Sequence, residues 1–240
     1  MIEGFRVSLI LPCLNEAGGL RKILLNLPVY IDEVIVADNG SVDQSVQVAE
    51  EFGARVVRED IKGYGQVYQA GLKASTGDIL VLMDADDSYP VETAEEMIRM
   101  VASGRLDFVS GCRFPLKIKD SMPWHKYLGN KIFSFWTRKL FNISIRDTQS
   151  GMFVFKRNIL PRVISLNTGM GFSQEIKLNA WLAPDIRAEE FHIQYRKRIG
   201  KVKFRLFQDS FETIRDHGHY LFRLKQSEQR AQSCAANTSA

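Results

Sequence analysis

Two hydrophobic patterns alternate along the first half of the chain. Short apolar runs rich in β-branched residues are typical of buried parallel strands, and they occur at residues 7–12, 33–37, 54–57, 81–83 and 108–111. Between them, apolar positions recur at the i, i+3, i+4, i+7 spacing of helices, over residues 19–27, 43–52, 67–74 and 90–101. Strands that alternate with helices form mostly parallel sheets. The pattern therefore predicts an α/β fold with a mostly parallel central sheet and helices on both faces.

The second half of the chain is less regular and more basic. Strands are predicted at residues 152–155 and 190–195, and a helix that begins at Ser173 or Gln174 lies between them. From residue 113 to 146, Asp120 is the single acid among eight basic residues, which are Arg113, Lys117, Lys119, Lys126, Lys131, Arg138, Lys139 and Arg146. Aromatic residues lie between them. Such a segment is typical either of a helix in a membrane interface or over an apolar substrate, or of a core helix with a cationic outer face.

Composition narrows the class of protein. The 240 residues are 45% hydrophobic, which suits one large globular domain. The formal net charge of +4 is modest and uneven along the chain, so we expect local basic patches and no nucleic-acid partner. The three cysteines are far apart and form no C-x-x-C motif, which argues against a disulfide framework or a zinc site. We find no signal-peptide pattern near Met1 and no apolar run of about 18 residues that would span a bilayer.

An acidic cluster follows the fourth predicted strand. Asp84, Asp86 and Asp87 come directly after the apolar run that ends at Met83. Ligands in open α/β sheets collect at the carboxyl ends of strands, and Mg²⁺ or Mn²⁺ binds carboxylates together with substrate phosphates. We interpret the cluster as a metal-assisted phosphate site. The alternative is a solvated acidic turn, since a lone Asp-x-Asp often arises by chance.

Seven short motifs appear in a fixed order along residues 7–207. They are LPCLNE at 11–16, DNGSVD at 38–43, KGYG at 62–65, DAD at 84–86, SGCR at 110–113, RDTQSG at 146–151 and RIGKVK at 198–203. Together they resemble the inverting family 2 glycosyltransferases with the Rossmann-like GT-A fold, in the dolichyl-phosphate mannose synthase-like branch that uses polyprenyl phosphates. The chain departs from the pattern of that family at Asn39, Gln149 and Val202.

The resemblance implies roles for the donor side of the site. The pocket for the base and ribose of a nucleotide sugar would comprise Pro12, Leu14, Glu16 and Asp38. Asp86 would ligate Mg²⁺ or Mn²⁺ directly, and Asp84 would mainly hold the donor and assist at the metal, whereas Asp87 would be structural. A loop that closes on the donor diphosphate would contribute Arg198, Lys201 and Lys203.

The acceptor side is implied in the same way. Arg113, Arg146 and Ser150 match positions that cradle the phosphate of a lipid acceptor, and guanidinium groups suit that task. A polyprenyl phosphate is already anionic, so it needs positioning and no general base. If the acceptor is instead a saccharide or another soluble hydroxyl compound, Asp147 becomes the candidate general base. As a structural alternative, Arg146 could simply pair with Asp147.

The resemblance also predicts an organisation into halves. We expect a single catalytic domain over residues 1–225, with the nucleotide-sugar half at 1–112 and the acceptor half at 113–225. Residues 226–240 are polar and have little to bury, so a disordered tail is expected.

The expected activity is metal-dependent transfer of mannose or glucose from GDP-mannose or UDP-glucose to polyprenyl or dolichyl phosphate. The enzyme would lie peripherally at the cytosolic face of a membrane, docked to a partner protein that supplies transmembrane helices. Besides the lipid-phosphate and the soluble acceptor, a third hypothesis is a non-catalytic protein that binds nucleotide sugars or serves as a membrane adaptor. The intact Asp84 and Asp86 argue against it.

Overall fold

A seven-stranded sheet forms the centre of the computed structural model, which describes residues 1–200 together with Arg215, Gly218 and Tyr220. The order of the strands is β3-β2-β1-β4-β6-β5-β7. Their bounds are β1 Val7–Cys13, β2 Glu33–Asp38, β3 Arg55–Arg58, β4 Ile79–Leu82, β5 Phe108–Cys112, β6 Phe153–Lys156 and β7 Ala188–His192. Only β6 pairs antiparallel with its neighbours. The predicted α/β fold with a mostly parallel sheet is confirmed.

Seven helices connect the strands in the described part of the chain. Their bounds are α1 Ala17–Leu25, α2 Ser45–Glu51, α3 Tyr64–Ala74, α4 Ala94–Ala102, α5 Trp124–Phe141, α6 Leu160–Val163 and α7 Phe172–Leu182. Short 3₁₀ turns at Val91–Thr93 and Arg157–Ile159 precede α4 and α6.

The core consists of two apolar layers, one on each face of the sheet. Side chains of successive strand residues point to opposite faces, so Leu9 and Leu11 of β1 pack with α1, α2 and α4. Ile10 between them packs with α3, α6 and α7 on the other face. Helices therefore cover both faces, as the alternation of strands and helices predicts.

Two predicted boundaries are wrong for reasons of tertiary structure. Helix α3 begins at Tyr64 and not near Val67, because the backbone N–H groups of Gly65 and Gln66 donate to carbonyls of a loop about a hundred residues away. Strand β7 ends at His192 and not at Tyr195, because its partner β5 ends at Cys112, which is paired with His192. Both boundaries depend on contacts that are remote in sequence.

The described residues 1–200 belong to one compact unit. The predicted tail 226–240 and the basic loop residues Lys201 and Lys203 lie outside the described residues. The predicted domain limit at residue 225 stays a prediction.

Candidate active site

Five segments that carry the predicted site residues meet at one edge of the sheet. Parallel strands β1, β2, β4 and β5 all end there, so the residues that follow them are brought together. Because β6 runs antiparallel between β4 and β5, the segment before it also lies at this edge. That segment contains Arg146, Asp147 and Ser150.

The donor side begins with a rigid turn after β2. The carboxylate of buried Asp38 accepts the backbone N–H groups of Gly40 and Ser41 at 3.1 Å each. The side-chain amide of Asn39 donates to the carbonyls of Glu59 and Ile61 at 2.7 and 2.9 Å. An aspartate at position 39 could not donate these bonds, so the departure from the family pattern at Asn39 has a structural role. Pro12, near the end of β1, and Leu14, just after it, are half-buried.

Asp84 and Asp86 form an acidic pair at the end of β4. Buried Asp86 accepts the backbone N–H and the hydroxyl of Ser88 through Oδ1, at 3.0 and 2.5 Å. Asp84 accepts the Tyr64 hydroxyl at 2.8 Å. Burial and the neighbouring Asp86 raise the pKa of Asp84 to about 7, although Tyr64 and nearby arginines act in the opposite direction. Two carboxylates that repel each other at a buried edge create a site that favours a cation.

The chemistry of this pair fits a hard divalent cation. Among the residues that the structure describes, no group of three or more His, Cys, Asp or Glu side chains is arranged to hold a metal ion. Mg²⁺ in phosphate sites typically binds one or two protein carboxylates and completes its coordination with water and substrate phosphates. Asp86 and Asp84 can provide that number of protein ligands.

Asp87 has different surroundings from the other two acids. Its Oδ2 atom lies 2.6 Å from the ammonium of Lys22 on α1, and Oδ1 lies 3.8 Å from Arg196. Its backbone has a φ of 61°, a left-handed conformation that Asp and Asn tolerate better than most residues. These contacts fit the structural role predicted for Asp87.

Arg198 lies across the donor side of the site. Its Nη2 atom donates to Glu16 Oε1 at 2.6 Å, and Nε lies 3.4 Å from Asp86 Oδ2. The backbone N–H of Ile199 donates to the carbonyl of Asp86 at 2.9 Å. A guanidinium thus lies between Glu16, predicted to bind the donor, and Asp86, predicted to bind the metal, and neutralises part of their charge.

The acceptor side contains a buried ion pair between Arg113 and Asp147. Nε and Nη2 of Arg113 donate to the two carboxylate oxygens of Asp147 at 2.7 and 2.8 Å, and the backbone N–H of Arg113 donates to Oδ2 at 3.0 Å. Burial alone would raise the pKa of Asp147, but Arg113 holds it below its ordinary value. The alternative pairing of Asp147 with Arg146 is wrong.

Arg146 and Ser150 differ in exposure. The Arg146 side chain is 58% exposed, and its Nε lies 3.3 Å from Glu190 of β7. Ser150 is fully buried, and its hydroxyl accepts the backbone N–H of Met152 at 3.4 Å. The structure therefore brings Arg113, Arg146 and Ser150 to one loop region but leaves only Arg146 at the surface.

The two sides of the site touch at Gly151. A Cβ atom built on Gly151 would lie 3.2 Å from Asp84 Oδ2 and 3.1 Å from the Tyr64 hydroxyl. The loop that carries the predicted acceptor residues is thus in direct contact with the acidic pair.

Sequence reasoning missed three residues of this region. Tyr64 belongs to the KGYG motif, which was a usable signal. Glu190 is part of an alternating strand, and Lys177 lies within an apolar helix. Neither pattern distinguishes a buried charged residue from a solvated one.

The sequence matches a known protein family and resembles several known proteins. The model of the family "Glycosyl transferase family 2" matches residues 8–164. The low-salt glycan biosynthesis hexosyltransferase Agl6 of Haloferax volcanii is 33% identical over 218 residues, which are 87% of this chain and 52% of Agl6. The chain therefore spans about half the length of that relative. The dolichyl-phosphate hexose transferase of the same organism is 29% identical over 203 residues, 82% of this chain and 86% of that protein.

The fold resembles a solved enzyme structure. Glucosyl-3-phosphoglycerate synthase from Mycobacterium tuberculosis, in complex with Mn²⁺, uridine diphosphate and phosphoglyceric acid, superposes with a TM-score of 0.71 at 20% identity. The match covers 88% of this chain and 76% of that one. At this identity the likeness concerns the fold, and the predicted GT-A fold is confirmed.

Proposed function

The chain belongs to glycosyl transferase family 2, and from this premise we propose that it transfers a hexose from a nucleotide diphosphate sugar to a polyprenyl or dolichyl phosphate. The predicted family is confirmed, and it is a family of glycosyltransferases. The donor would be of the GDP-mannose or UDP-glucose type. Support comes from the named dolichyl-phosphate hexose transferase among the relatives and from the Mn²⁺ and uridine diphosphate in the solved neighbour.

One observation supports the proposal most strongly, namely the contact between the acceptor loop and the acidic pair. Gly151 packs against Asp84, and the same loop carries Arg146, Asp147 and Ser150. Cationic groups for an acceptor phosphate are thus adjacent to carboxylates for a donor. Such an arrangement lets two anionic substrates approach each other with their charges compensated.

Different residues of the chain would bind the donor and the acceptor. Asp86 and Asp84 would hold Mg²⁺ or Mn²⁺, which when bound supplies Lewis-acid stabilisation of the diphosphate leaving group. Arg198, which contacts Glu16 and Asp86, would pair with that diphosphate. Arg113 uses Nε and Nη2 for Asp147, so its Nη1 edge is the part that can donate to an acceptor phosphate.

The surroundings of Asp147 favour a phosphate acceptor over a soluble hydroxyl acceptor. A general base must accept a proton during reaction, and its ideal pKa lies near the working pH. Arg113 occupies both carboxylate oxygens of Asp147 and holds its pKa low. Asp147 is therefore better suited to orient Arg113 than to deprotonate a hydroxyl group.

The direct test is transfer of label into lipid. Purified protein with Mn²⁺, labelled GDP-mannose or UDP-glucose and polyprenyl phosphate should form a lipid-extractable product. The matching polyprenyl alcohol, which lacks the phosphate, should give none. A protein that binds a nucleotide sugar in a thermal-shift assay but labels no lipid phosphate with any common donor would contradict the proposal.

Replacing Arg146 with Ala should weaken use of the lipid phosphate. Hydrogen bonds to charged groups contribute about 1.5–3 kcal/mol, so we expect the acceptor KM to rise about 10- to 100-fold, with the donor dissociation constant unchanged. Steady-state kinetics with varied acceptor measures this. Arg187→Ala is a matched control, because Arg187 is 57% exposed and pairs with Asp107 in a comparable way. An equal effect of both substitutions would refute a specific role for Arg146.

Helix α5 supports a peripheral position on a membrane. Six of its large apolar side chains lie at helical spacing on an exposed face, and they are Trp124, Leu128, Ile132, Phe135, Trp136 and Leu140. The helix buries Ser134, Thr137 and Phe141. It contains four Lys or Arg residues and no acid. Apolar faces with aromatic and cationic residues favour the interface of an anionic membrane. In the described part of the chain, no helix has the length and hydropathy needed to span a bilayer.

Removing apolar side chains from this face should reduce binding to membranes. We expect the double variant Ile132→Ser, Trp136→Ser to bind vesicles of phosphatidylcholine and phosphatidylglycerol at least about 10-fold more weakly in a sedimentation assay, since each buried side chain contributes about 1.5–3 kcal/mol. Val29→Ser changes an even more exposed apolar residue outside α5 and should bind like the wild type. Undiminished binding of the double variant would exclude α5 as the contact.

A further inference from the structure

Buried side chains from β7, α7, α5 and the loop after β4 hold the backbone of the loop at residues 146–151. On one side, the Glu190 carboxylate of β7 accepts the backbone N–H groups of Arg146 and Asp147 at 2.8 and 2.7 Å. On the other side, the Lys177 ammonium of α7 donates to the carbonyl of Ser150 at 2.7 Å and lies 3.4 Å from that of Asp147. The loop is therefore clamped between a carboxylate and an ammonium.

Two further contacts complete the set. Ser134 of α5 accepts the backbone N–H of Thr148 at 3.1 Å. The hydroxyl of Tyr89 accepts the backbone N–H of Gly151 at 2.7 Å. Together these bonds constrain a segment that belongs to no strand or helix.

Lys177 is an unusual residue at its position in α7. Only 1% of its surface is exposed, and lysine is almost never fully buried unless it is paired. Burial lowers its pKa to about 7, with Asp147 and Glu190 acting in the opposite direction. Apolar residues of similar volume often replace buried charges without loss of stability, so packing of α7 alone does not require an ammonium here.

The ammonium has a specific geometric effect on the acceptor side. The Asp147 carboxylate meets Arg113 only if the backbone of Asp147 is held in place. The second carbonyl that Lys177 contacts belongs to Ser150, at the other end of the same segment. The two bonds of Lys177 thus set the positions of both ends of the segment Asp147–Ser150.

We propose that Lys177 is a positioning residue of the acceptor site, which fixes the loop so that Asp147 keeps Arg113 oriented for the phosphate of the acceptor. Glu190 has the matching role at the backbone N–H groups of Arg146 and Asp147, which its carboxylate accepts. The inference rests on the proposed function, since it assigns the loop to the acceptor, but the rigidity it asserts can be measured without any acceptor.

The first test replaces Lys177 with Met, which has a similar length but no charge and no donor. We expect the acceptor KM to rise about 10-fold, with the dissociation constant of the donor unchanged and the melting temperature equal to or above that of the wild type. Lys156→Met is the control, since Lys156 also contacts an aspartate, at 3.5 Å from Asp107. It should leave the acceptor KM unchanged.

A merely structural role predicts a different result. In that case Lys177→Met would lower the melting temperature and weaken donor and acceptor binding together, and the proposal would be overturned. An unchanged acceptor KM in a stable Lys177→Met variant would overturn it as well.

The second test uses the ligand-free wild type and holds even if the variant fails to fold. Hydrogen exchange should find the amides of Arg146, Asp147, Thr148 and Gly151 protected nearly as well as those of β6, because each donates to a buried acceptor. Rapid exchange at these amides would refute the clamp. Protected amides in a protein that transfers no sugar to lipid phosphate would instead retain the clamp and contradict the proposed function.

Discussion

Replacing Asp86 with Asn is expected to lower sugar transfer by about 10²- to 10⁴-fold without unfolding the protein. Asparagine keeps an oxygen for the N–H and hydroxyl of Ser88 but removes the charge that would bind the metal. Lewis-acid stabilisation of a leaving group contributes several kcal/mol, and each 1.36 kcal/mol corresponds to a factor of ten in rate. The measurement is kcat/KM at saturating Mn²⁺, together with the Mn²⁺ dissociation constant in the presence of donor.

Asp87→Asn provides the matched control for that experiment. The substitution makes the same chemical change one position along the chain, where the backbone conformation tolerates Asn. It breaks the contact with Lys22, whose side chain is half exposed. We expect transfer and Mn²⁺ affinity close to those of the wild type. If Asp87→Asn loses Mn²⁺ affinity and Asp86→Asn does not, the assignment within the cluster is reversed.

Replacing Asp147 with Asn is expected to destabilise the protein by about 3–5 kcal/mol, the usual cost of removing one partner of a buried ion pair. Arg113 would remain buried without a counter-charge, although the amide could keep one of its hydrogen bonds. Transfer should fall because the guanidinium loses its orientation. Urea denaturation at neutral pH measures the free energy of unfolding.

The contribution of Asp147 to stability should also depend on pH. Its pKa in the folded protein lies below the ordinary value, with Arg113 opposing the effect of burial. The stabilisation is therefore fully present above the unfolded pKa of about 3.9, and it disappears as the pH falls through the lower folded pKa. The difference in unfolding free energy between wild type and Asp147→Asn should thus be largest at neutral pH and shrink in acid.

The same variant separates the two acceptor hypotheses. If Asp147 were a general base for a soluble acceptor, the folded Asp147→Asn protein would bind both substrates and be inactive. Asp107→Asn is the control for stability, because Asp107 pairs with the exposed Arg187 at the surface. Such pairs contribute about 1 kcal/mol or less to stability. If Asp107→Asn lowers the free energy of unfolding as much as Asp147→Asn does, burial is not the reason why the Arg113–Asp147 pair matters.

The local pattern of the sequence was sufficient for the first half of the fold, where the donor is predicted to bind. Strand and helix periods depend on neighbouring residues, and parallel strands that alternate with helices must end at a common edge. The positions of Glu16, Asp38, Asp84 and Asp86 at or after the ends of their strands follow from that rule. Their assignment to donor and metal remains a prediction that the Asp86 experiment addresses.

The partners of the acceptor half depended on the tertiary structure. Arg113 and Asp147 are 34 residues apart, and Lys177 and Ser150 are 27 apart, so no periodicity connects them. The antiparallel β6 brings the loop before it to the carboxyl edge, and pairing direction is not encoded in a short apolar run.

The orientation of α5 shows most clearly what the sequence by itself left open. Its period establishes a helix with an apolar stripe, but the stripe has the same spacing whether it faces a core or a membrane. In the folded chain Ser134 and Thr137 bond to neighbouring residues inside, whereas Trp124 and Trp136 are exposed, so the stripe does not face the described core. Sequence thus determined which elements form and where charged residues stand along them, whereas burial and charge pairing, which depend on remote contacts, were determined by the tertiary structure.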